Sequence, residues 1–325
     1  FLFSLFSFSQ GTWTKKLDFT AGRYGCAGFA IGTKGYIGTG IQAPIVYKND
    51  FWEWDGDPAS PNYNTWSQKA NFPGAVRSHA VGFSIGNKGY IGTGDRLSPT
   101  VYYKDFWEWD GDPASPNYNT WVKKADFGGG LRSQAVGFSI GAKGYIGTGY
   151  DNTISYIYYK DFWEYNPSTD SWIPKAPFGG KERNMAVGFS IGNFGYIGTG
   201  DTNGVACKDF WEWNQAGNSW TKKTDFPMTM SGAVGFSIGA KGYVGTGWDG
   251  AALKKDFFEY DPSNSSWTAK ASFSGSGRNF SVGFSIGNKG YIGTGGEKTS
   301  TYYTKDFWEY SSSSTTPACN VSSVI

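Results

Sequence analysis

A short motif recurs six times along this 325-residue chain and constrains its fold more than any other feature. The motif reads GYIGTG or GYVGTG, and its copies begin at Gly35, Gly89, Gly144, Gly195, Gly242 and Gly290. Successive copies are 54, 55, 51, 47 and 48 residues apart. Self-similarity at such a period is typical of architectures in which each repeat is one supersecondary unit. The chain is therefore expected to fold as six similar units.

Two further motifs accompany each copy. DFWEW, DFWEY or DFFEY begins at Asp50, Asp105, Asp161, Asp209, Asp256 and Asp306. The pattern Trp-x-x-Lys-x-x-Phe begins at Trp66, Trp121, Trp172, Trp220 and Trp267, and its sixth copy begins at Trp13. No Trp follows the last DFWEY motif, so the N-terminal copy is expected to supply the outer strand of the last unit. Pairing of the two ends would close a ring without an unpaired gap.

The second unit shows four short stretches with the residue pattern of β-strands. Ala80–Ile85 alternates large apolar with small residues, Asn87–Gly89 has the composition of a hairpin turn, and Tyr90–Gly94 follows it. Asp105–Trp109 and Trp121–Lys124 are the third and fourth stretches. No stretch has a convincing helical period. The sequence predicts an all-β fold, a six-bladed β-propeller of four-stranded antiparallel blades, closed by the N-terminal strand.

The composition argues against several classes of function. The 29 Lys and Arg balance 27 Asp and Glu, and no basic run is present to bind nucleic acid. A single His and three Cys are too few for a zinc site of about four ligands. No apolar stretch approaches the ~20 residues that span a bilayer. We expect no cofactor, no bound metal, no nucleic-acid partner and no membrane span.

The two ends of the chain differ from the repeats. Residues 1–9, FLFSLFSFS, are apolar and end in small residues, which is typical of a signal-peptide remnant. This predicts an exported protein, secreted or at the cell surface; the alternative interpretation is a first β-strand. The propeller is expected to span residues 10–316. The last residues, SSSSTTPACNVSSVI from 311 to 325, are polar, small and patternless, and residues 317–325 are expected to begin a downstream linker or domain.

The motifs resemble kelch repeats across nearly the whole of residues 11–310. The similarity lies in Gly-Tyr-Ile-Gly-x-Gly at the second strand, in Glu-Trp-Asp or Glu-Tyr-(Asp/Asn)-Pro at the third, and in Trp at the fourth. These residues are most like those of secreted Bacteroidetes-type kelch proteins. Family members usually carry a Gly-Gly pair where this chain has Gly-Thr-Gly, which is expected to alter local packing only. The resemblance implies a propeller fold. It does not indicate a function, because propellers include enzymes, adaptors and adhesins.

Comparison of the six units separates structural from functional positions. Residues that recur in all six are expected to be structural, including the third-strand Glu53 and its equivalents, which would need partners if buried. An Arg recurs in five units, as Arg23, Arg77, Arg132, Arg183 and Arg278, and Met230 takes its place in the remaining one. One interpretation is a salt bridge between each Arg and one of these Glu residues. The other is a ring of guanidinium groups at one channel mouth, where the kelch resemblance implies peptide-binding arginines.

The position two residues after each Arg varies, and it reads Gly25, His79, Gln134, Met185, Gly232 and Phe280. Antiparallel topology places this position on the same face as the loops between second and third strands, which vary and are rich in Tyr. Variable loops on a rigid scaffold are common recognition sites. The candidate ligand-binding residues are Arg23, Arg77, Arg132, Arg183, Arg278, His79, Gln134, Tyr103, Tyr159, Trp248 and Tyr303.

The function that these features favour is a non-catalytic recognition module that binds a glycan or a partner protein on the Arg- and Tyr-rich loop face. One alternative is a cofactor-free sugar mutarotase, with loop carboxylates as acids and bases: Asp95, Asp151, Asp201 and Asp249. Another is a ligand-free spacer in an adhesin. Two enzyme classes are disfavoured. A kelch-type copper oxidase needs two His ligands, and this chain has only His79. A Ser-His-Asp triad would also have to use His79, which lies at a variable position of the repeat.

Overall fold

The computed structural model describes residues 10–97, 99–297 and 303–312. The described residues form β-strands, turns and loops, with no helix among them. The suggested signal-peptide remnant at 1–9 and the suggested linker at 317–325 lie outside the described residues. The predicted all-β class is confirmed.

Six four-stranded antiparallel sheets make up the molecule, and each is one blade. The innermost strands of blades 1 to 6 are Ala27–Ile31, Val81–Ile85, Val136–Ile140, Val187–Ile191, Val234–Ile238 and Val282–Ile286. The second strands are Lys34–Gly38, Lys88–Gly92, Lys143–Gly147, Phe194–Gly198, Lys241–Gly245 and Lys289–Gly293. The third strands are Phe51–Asp55, Phe106–Asp110, Phe162–Asn166, Phe210–Asn214, Phe257–Asp261 and Phe307–Ser311.

The outermost strands of blades 1 to 5 follow their third strands along the chain. They are Trp66–Lys69, Trp121–Lys124, Ser171–Pro174, Ser219–Lys222 and Ser266–Ala269. Blade 6 takes its outermost strand from the other end of the chain, because Thr12–Lys16 pairs antiparallel with Phe307–Ser311. Each innermost strand contacts those of both neighbouring blades, and blade 6 contacts blade 1. The predicted exchange of the N-terminal strand into the last blade is confirmed.

Glycine at the start of each GY motif allows neighbouring blades to pack. A Cβ atom on Gly89 of blade 2 would lie 2.1 Å from Cζ of Phe29 in the innermost strand of blade 1. The same Gly-to-Phe contact recurs between the other blades, as for Gly35 and Phe284. The aromatic ring occupies the space that a side chain would fill, which explains why glycine stands at this position in all six units.

An outer ring of hydrogen bonds also joins the blades. The indole Nε1 of Trp121 in blade 2 donates to the carbonyl oxygen of Ala70 at 2.9 Å, and equivalent bonds join the other blades. Trp13 completes this ring, because its Nε1 donates to the carbonyl oxygen of Ala271 at 2.9 Å. The sixth Trp-x-x-Lys-x-x-Phe motif therefore joins blade 6 to the preceding blade, as the other copies do for their own blades.

Strand boundaries in blade 2 differ from the prediction by one or two residues. The turn lies at Gly86 and Asn87, with Gly86 at a φ of +56°, so the second strand is Lys88–Gly92. It ends there because Thr93 and Gly94 both have positive φ, which an extended strand does not allow. The third strand is Phe106–Asp110, and the fourth matches the prediction.

Candidate functional site

The five repeated arginines are buried, and none is more than 1% exposed. In blade 2, Arg77 Nη1 and Nη2 contact Asp105 Oδ1 and Oδ2 at 2.6 and 2.8 Å. The same two-point pairing joins Arg23, Arg132, Arg183 and Arg278 to Asp50, Asp161, Asp209 and Asp306. The guanidinium groups therefore lie below the loop face in ion pairs within their own blades. Their predicted role in ligand binding stays a prediction, and this geometry favours a structural role.

Each pair also holds a strained turn and a Trp side chain. Arg77 Nη1 donates to the carbonyl oxygen of Thr93, a buried β-branched residue at a φ of +60°. Trp107 Nε1 donates to Asp105 Oδ2 at 2.8 Å. In blade 5, where Met230 replaces the Arg, Phe258 replaces this Trp. The joint loss of Arg and Trp in one blade indicates that the three residues form one structural unit.

The expected salt-bridge partner was wrong, because the arginines pair with Asp rather than with the third-strand Glu. In blade 1, Glu53 instead accepts a hydrogen bond from the Tyr36 hydroxyl at 2.8 Å and contacts Lys69 Nζ at 3.1 Å. Lys69 is the Lys of the Trp-x-x-Lys motif, and Lys16 contacts Glu309 in the same way at 3.0 Å. The Glu residues are structural, as predicted.

Acid is expected to weaken the fold through these Arg–Asp pairs. Burial acts to raise the pKa of Asp105, but hydrogen bonds and charge from Arg77 outweigh it and hold the pKa below its usual range, as for Asp50, Asp209 and Asp306. Because the folded pKa lies below the unfolded one, this stabilisation is complete above roughly pH 4 and is lost as the pH falls through the folded value. Urea unfolding should give a smaller free energy at pH 3 than at pH 7, and Arg77→Met should reduce the difference. An equal or larger free energy at pH 3 would contradict the prediction.

A ring of six backbone hydrogen bonds surrounds one end of the central channel, here called the channel mouth. The six variable positions form it: Gly25, His79, Gln134, Met185, Gly232 and Phe280. Each amide donates to the carbonyl oxygen of the equivalent residue in the preceding blade, at 2.8 to 3.3 Å. The bond from Gly25 to Phe280 closes the ring between blades 1 and 6. These residues line a cavity of about 120 Å³.

A polar cluster lies beside the channel mouth. His79 Nδ1 is 2.9 Å from Asp95 Oδ1, which also accepts a 2.6 Å hydrogen bond from the hydroxyl of Ser133 in the next blade. The His79 and Asp95 side chains are 5% and 1% exposed. The rings of Tyr24 and Phe280 contact the imidazole edge to face, with centroids 5.1 and 4.8 Å away. Asp95 is therefore a buried part of this cluster and not an exposed loop carboxylate.

Six hairpins rise from the same face and are here called the crown. They are Ile41–Gln42 with Val46–Tyr47, Asp95–Leu97 with Thr100–Tyr102, Tyr150–Asp151 with Ile157–Tyr158, Asp201–Thr202 with Val205–Ala206, Trp248 with Leu253, and Gly296 with Tyr303. Bridges such as Ser78 to Asp95 join the hairpin bases to the residues beside the channel mouth. The prediction that both sets of loops lie on one face is confirmed.

The crown carries most of the exposed large hydrophobic side chains of the described residues. Nine of the fourteen lie there: Ile45, Val46, Leu97, Val101, Ile154, Tyr156, Ile157, Val205 and Trp248. Ile154 is 96% exposed and Tyr156 is 68% exposed. The Tyr and Trp candidates predicted from the sequence do not include the aliphatic residues, which are the majority of this set. Their recurrence in variable loops was a weak signal, because it does not separate an exposed side chain from one that packs on the next blade.

The aromatic candidates are not brought together in one place. Tyr103 and Tyr159 lie over Arg77 and Arg132, 4.1 and 4.3 Å from the ring centroids, and are half-buried. Tyr303 stacks on Tyr24 with centroids 5.5 Å apart. Trp248 is 37% exposed on the blade 5 hairpin. His79 and Gln134 are the two candidates that share one cavity.

The other loop carboxylates serve their own hairpins. Asp249 contacts Lys254 Nζ at 2.7 Å, and the hydrogen bond from this Lys is the main cause that lowers the Asp249 pKa. Asp151 accepts hydrogen bonds from Thr153, and Asp201 accepts one from the Gly204 amide. Across the described ranges, no three His, Cys, Asp or Glu side chains form a potential metal site. No helix suited to crossing a membrane occurs in the part of the chain that the structure describes.

Comparison with known proteins supports the fold. No family model matches the chain, and no curated protein matches it. The solved structure of YjhT is similar, with a TM-score of 0.76 over 89% of this chain and 95% of that chain, at 17% sequence identity. At this identity the similarity concerns the fold alone. It is consistent with a kelch-type β-propeller, and the chain is a six-bladed propeller-type module with a crown of hairpins on one face.

Proposed function

We propose that this chain is an exported, non-catalytic recognition module whose crown binds a partner protein. The observation that carries the proposal is the concentration of exposed aliphatic side chains on one face. Large exposed apolar patches on otherwise polar proteins mark sites of protein interaction. The Arg–Asp, Glu–Lys and Trp contacts recur around the ring and hold the blades, whereas the hairpin tips differ from blade to blade. A rigid scaffold with variable tips suits recognition.

The charge of the crown also favours a protein partner. In four of the six hairpins, residues 42–46, 97–101, 152–157 and 202–205 contain no Asp, Glu, Lys or Arg, whereas the blade 5 hairpin contains the Asp249–Lys254 pair and the blade 6 hairpin contains Glu297. The cores of protein interfaces are depleted in charged residues, and exposed branched aliphatic side chains can bury apolar area there. A glycan face relies instead on aromatic rings, and seven of the nine exposed crown hydrophobics are aliphatic.

Photo-crosslinking from a hairpin tip tests the proposal. A p-benzoylphenylalanine at position 154 on the crown is compared with one at position 173 on the outer strand of blade 3, which is also exposed and apolar. In extracts and culture fluid of the native organism, position 154 should give a discrete protein adduct and position 173 should not. Equal labelling from both positions, or no adduct from any crown tip, would contradict the proposal.

A glycan ligand is the second candidate, and Trp248 and Tyr156 favour it because both rings are exposed on the crown. A glycan array should then show binding that a Tyr156→Ala/Trp248→Ala variant loses. Tyr103→Ala/Tyr159→Ala is the matched control, since these rings lie over buried arginines. The mutarotase alternative has less support, because Asp95 is buried against His79 and Asp249 is paired with Lys254.

A further inference from the structure

The channel mouth retains side chains where glycine would suffice. Gly25 and Gly232 occupy the ring of backbone bonds with φ values of +64° and +60°. His79, Gln134, Met185 and Phe280 occupy equivalent positions at φ values from +52° to +54°. Left-handed backbone is strained for such residues, by roughly 1 kcal/mol or more each. Because glycine fits the same place in the same fold, these four side chains are not required by the backbone.

His79 presents an unpaired nitrogen at this mouth. Its Nδ1 bonds to Asp95, whereas Nε2 is buried and has no hydrogen-bond partner among the described residues. The Nε2 edge lies against the ring position of Gly25, where a Cβ atom would be 3.0 Å from Nε2. In the neutral imidazole that donates from Nδ1, Nε2 offers a lone pair; in the protonated ring it offers an N–H. Either state leaves one unmet hydrogen bond in a buried place, which is costly.

The cavity that His79 lines also has apolar walls and one amide side chain. Gln134 lines the same cavity, and its Oε1 accepts a 2.9 Å hydrogen bond from Asn184. Met185 and Phe280 line the same cavity. A closed cavity of about 150 Å³ holds benzene, so the 120 Å³ here suits about six heavy atoms.

We propose that the channel mouth binds a small neutral hydroxylated molecule, of the size of glycerol, through His79 Nε2. A hydroxyl both donates and accepts, so it satisfies Nε2 in either protonation state. The carbon skeleton packs against Met185 and Phe280. Because Nε2 is buried and the Phe280 ring contacts the imidazole with centroids 4.8 Å apart, binding requires this ring to move. The buried Asp95 carboxylate beside His79 disfavours anions. This site goes beyond the proposed function, since it uses the channel and not the hairpin tips.

The single His makes the test direct, because its imidazole gives one set of NMR signals. The full chain, labelled with ¹⁵N-histidine, is titrated with glycerol, and sodium acetate and methylammonium chloride serve as anion and cation probes. We expect a saturable shift of the Nε2 resonance with glycerol alone. His79→Gly removes the anchor at a position that accepts glycine, and should weaken glycerol binding about tenfold. For this comparison both proteins are uniformly labelled with ¹⁵N, and binding is followed through the amide signals of Gln134 and Met185. Ser139→Ala, at the opposite end of the channel, should leave binding unchanged.

Three results would overturn the inference: no saturable shift with glycerol, equal glycerol binding by His79→Gly, or a saturable shift with acetate or methylammonium in its place. A folded His79→Gly protein is expected, and its amide spectrum verifies this. Loss of crown crosslinking with retained glycerol binding would reject the proposed protein partner alone. Crown crosslinking without glycerol binding would reject the channel site alone.

Discussion

Arg77→Met is expected to lower the free energy of unfolding by about 3 to 5 kcal/mol, the effect of removing one partner from a buried ion pair. The substitution leaves the Asp105 carboxylate without its two-point partner and leaves the Thr93 carbonyl oxygen without its Arg donor. Met is the natural residue at the equivalent position of blade 5, so the volume is tolerated by the fold. The loss therefore reports the missing charge and hydrogen bonds.

Urea denaturation of Arg77→Met, Asp105→Asn and the double variant measures the coupling between the two residues. The double variant should lose less stability than the sum of the two single losses, because it removes both charges and leaves neither one buried without a partner. Lys104→Met is the control, since this exposed Lys contacts Asp126 at only 3.9 Å and should change stability by no more than about 0.5 kcal/mol. Additive losses, or an Arg77→Met loss as small as that of the control, would contradict a structural ion pair.

Trp13→Ala is expected to cost about 3 kcal/mol or more and to release the N-terminal strand. The indole contacts the rings of Phe257, Phe273 and Tyr310, each with centroids 5.0 Å apart, and bonds to the Ala271 carbonyl oxygen. The strand Thr12–Lys16 is joined to blade 6 by such contacts, by strand pairing and by the Lys16–Glu309 ion pair, with almost the whole chain between the partners. The entropy of closing so long a loop opposes its return.

Trp220→Ala is the matched control, because Trp220 holds the same place in blade 4 on a strand that a short turn joins to its partner. Amide exchange should accelerate through Thr12–Lys16 and Phe307–Ser311 in Trp13→Ala. In Trp220→Ala the faster exchange should stay within blade 4, and the loss of stability should be smaller. Equal losses and equally local exchange would show that the N-terminal strand is not what closes the ring.

The architecture could be predicted because the same side-chain contacts recur between each blade and its neighbour. The Gly89 position must be small to receive the Phe29 ring, and the motif Trp must reach the neighbouring blade, so both recur and both are visible in the sequence. The misplaced copy at Trp13 even indicated which blade it completes. The two-residue shift of the second strand was not predictable, because either Gly86 or Gly89 could have taken the left-handed turn.

The partner of each Arg was harder to predict, since Asp and Glu both recur beside it in every unit. Blade 5 contained a partial signal, because Met230 is accompanied by Phe258, two residues after Asp256, although Asp256 and Glu259 are both retained. The pair of His79 and Asp95 depends on how a crown hairpin bridges to Ser78, and no local pattern encodes that contact. Exposure of Ile154 and its neighbours was equally hidden, because an aliphatic loop residue can either pack on the next blade or project from the surface.

The affinity of the crosslinked partner for two matched variants tests the central proposal most directly. One variant changes crown tips, Ile45→Ser/Leu97→Ser/Ile154→Ser/Val205→Ser, and the other changes exposed apolar residues elsewhere, Leu17→Ser/Val122→Ser/Ile173→Ser/Phe194→Ser. By calorimetry with the purified partner, the crown variant should bind about 100-fold more weakly, and the second should bind as the unmodified protein does. Equal binding by both variants would contradict recognition through the crown.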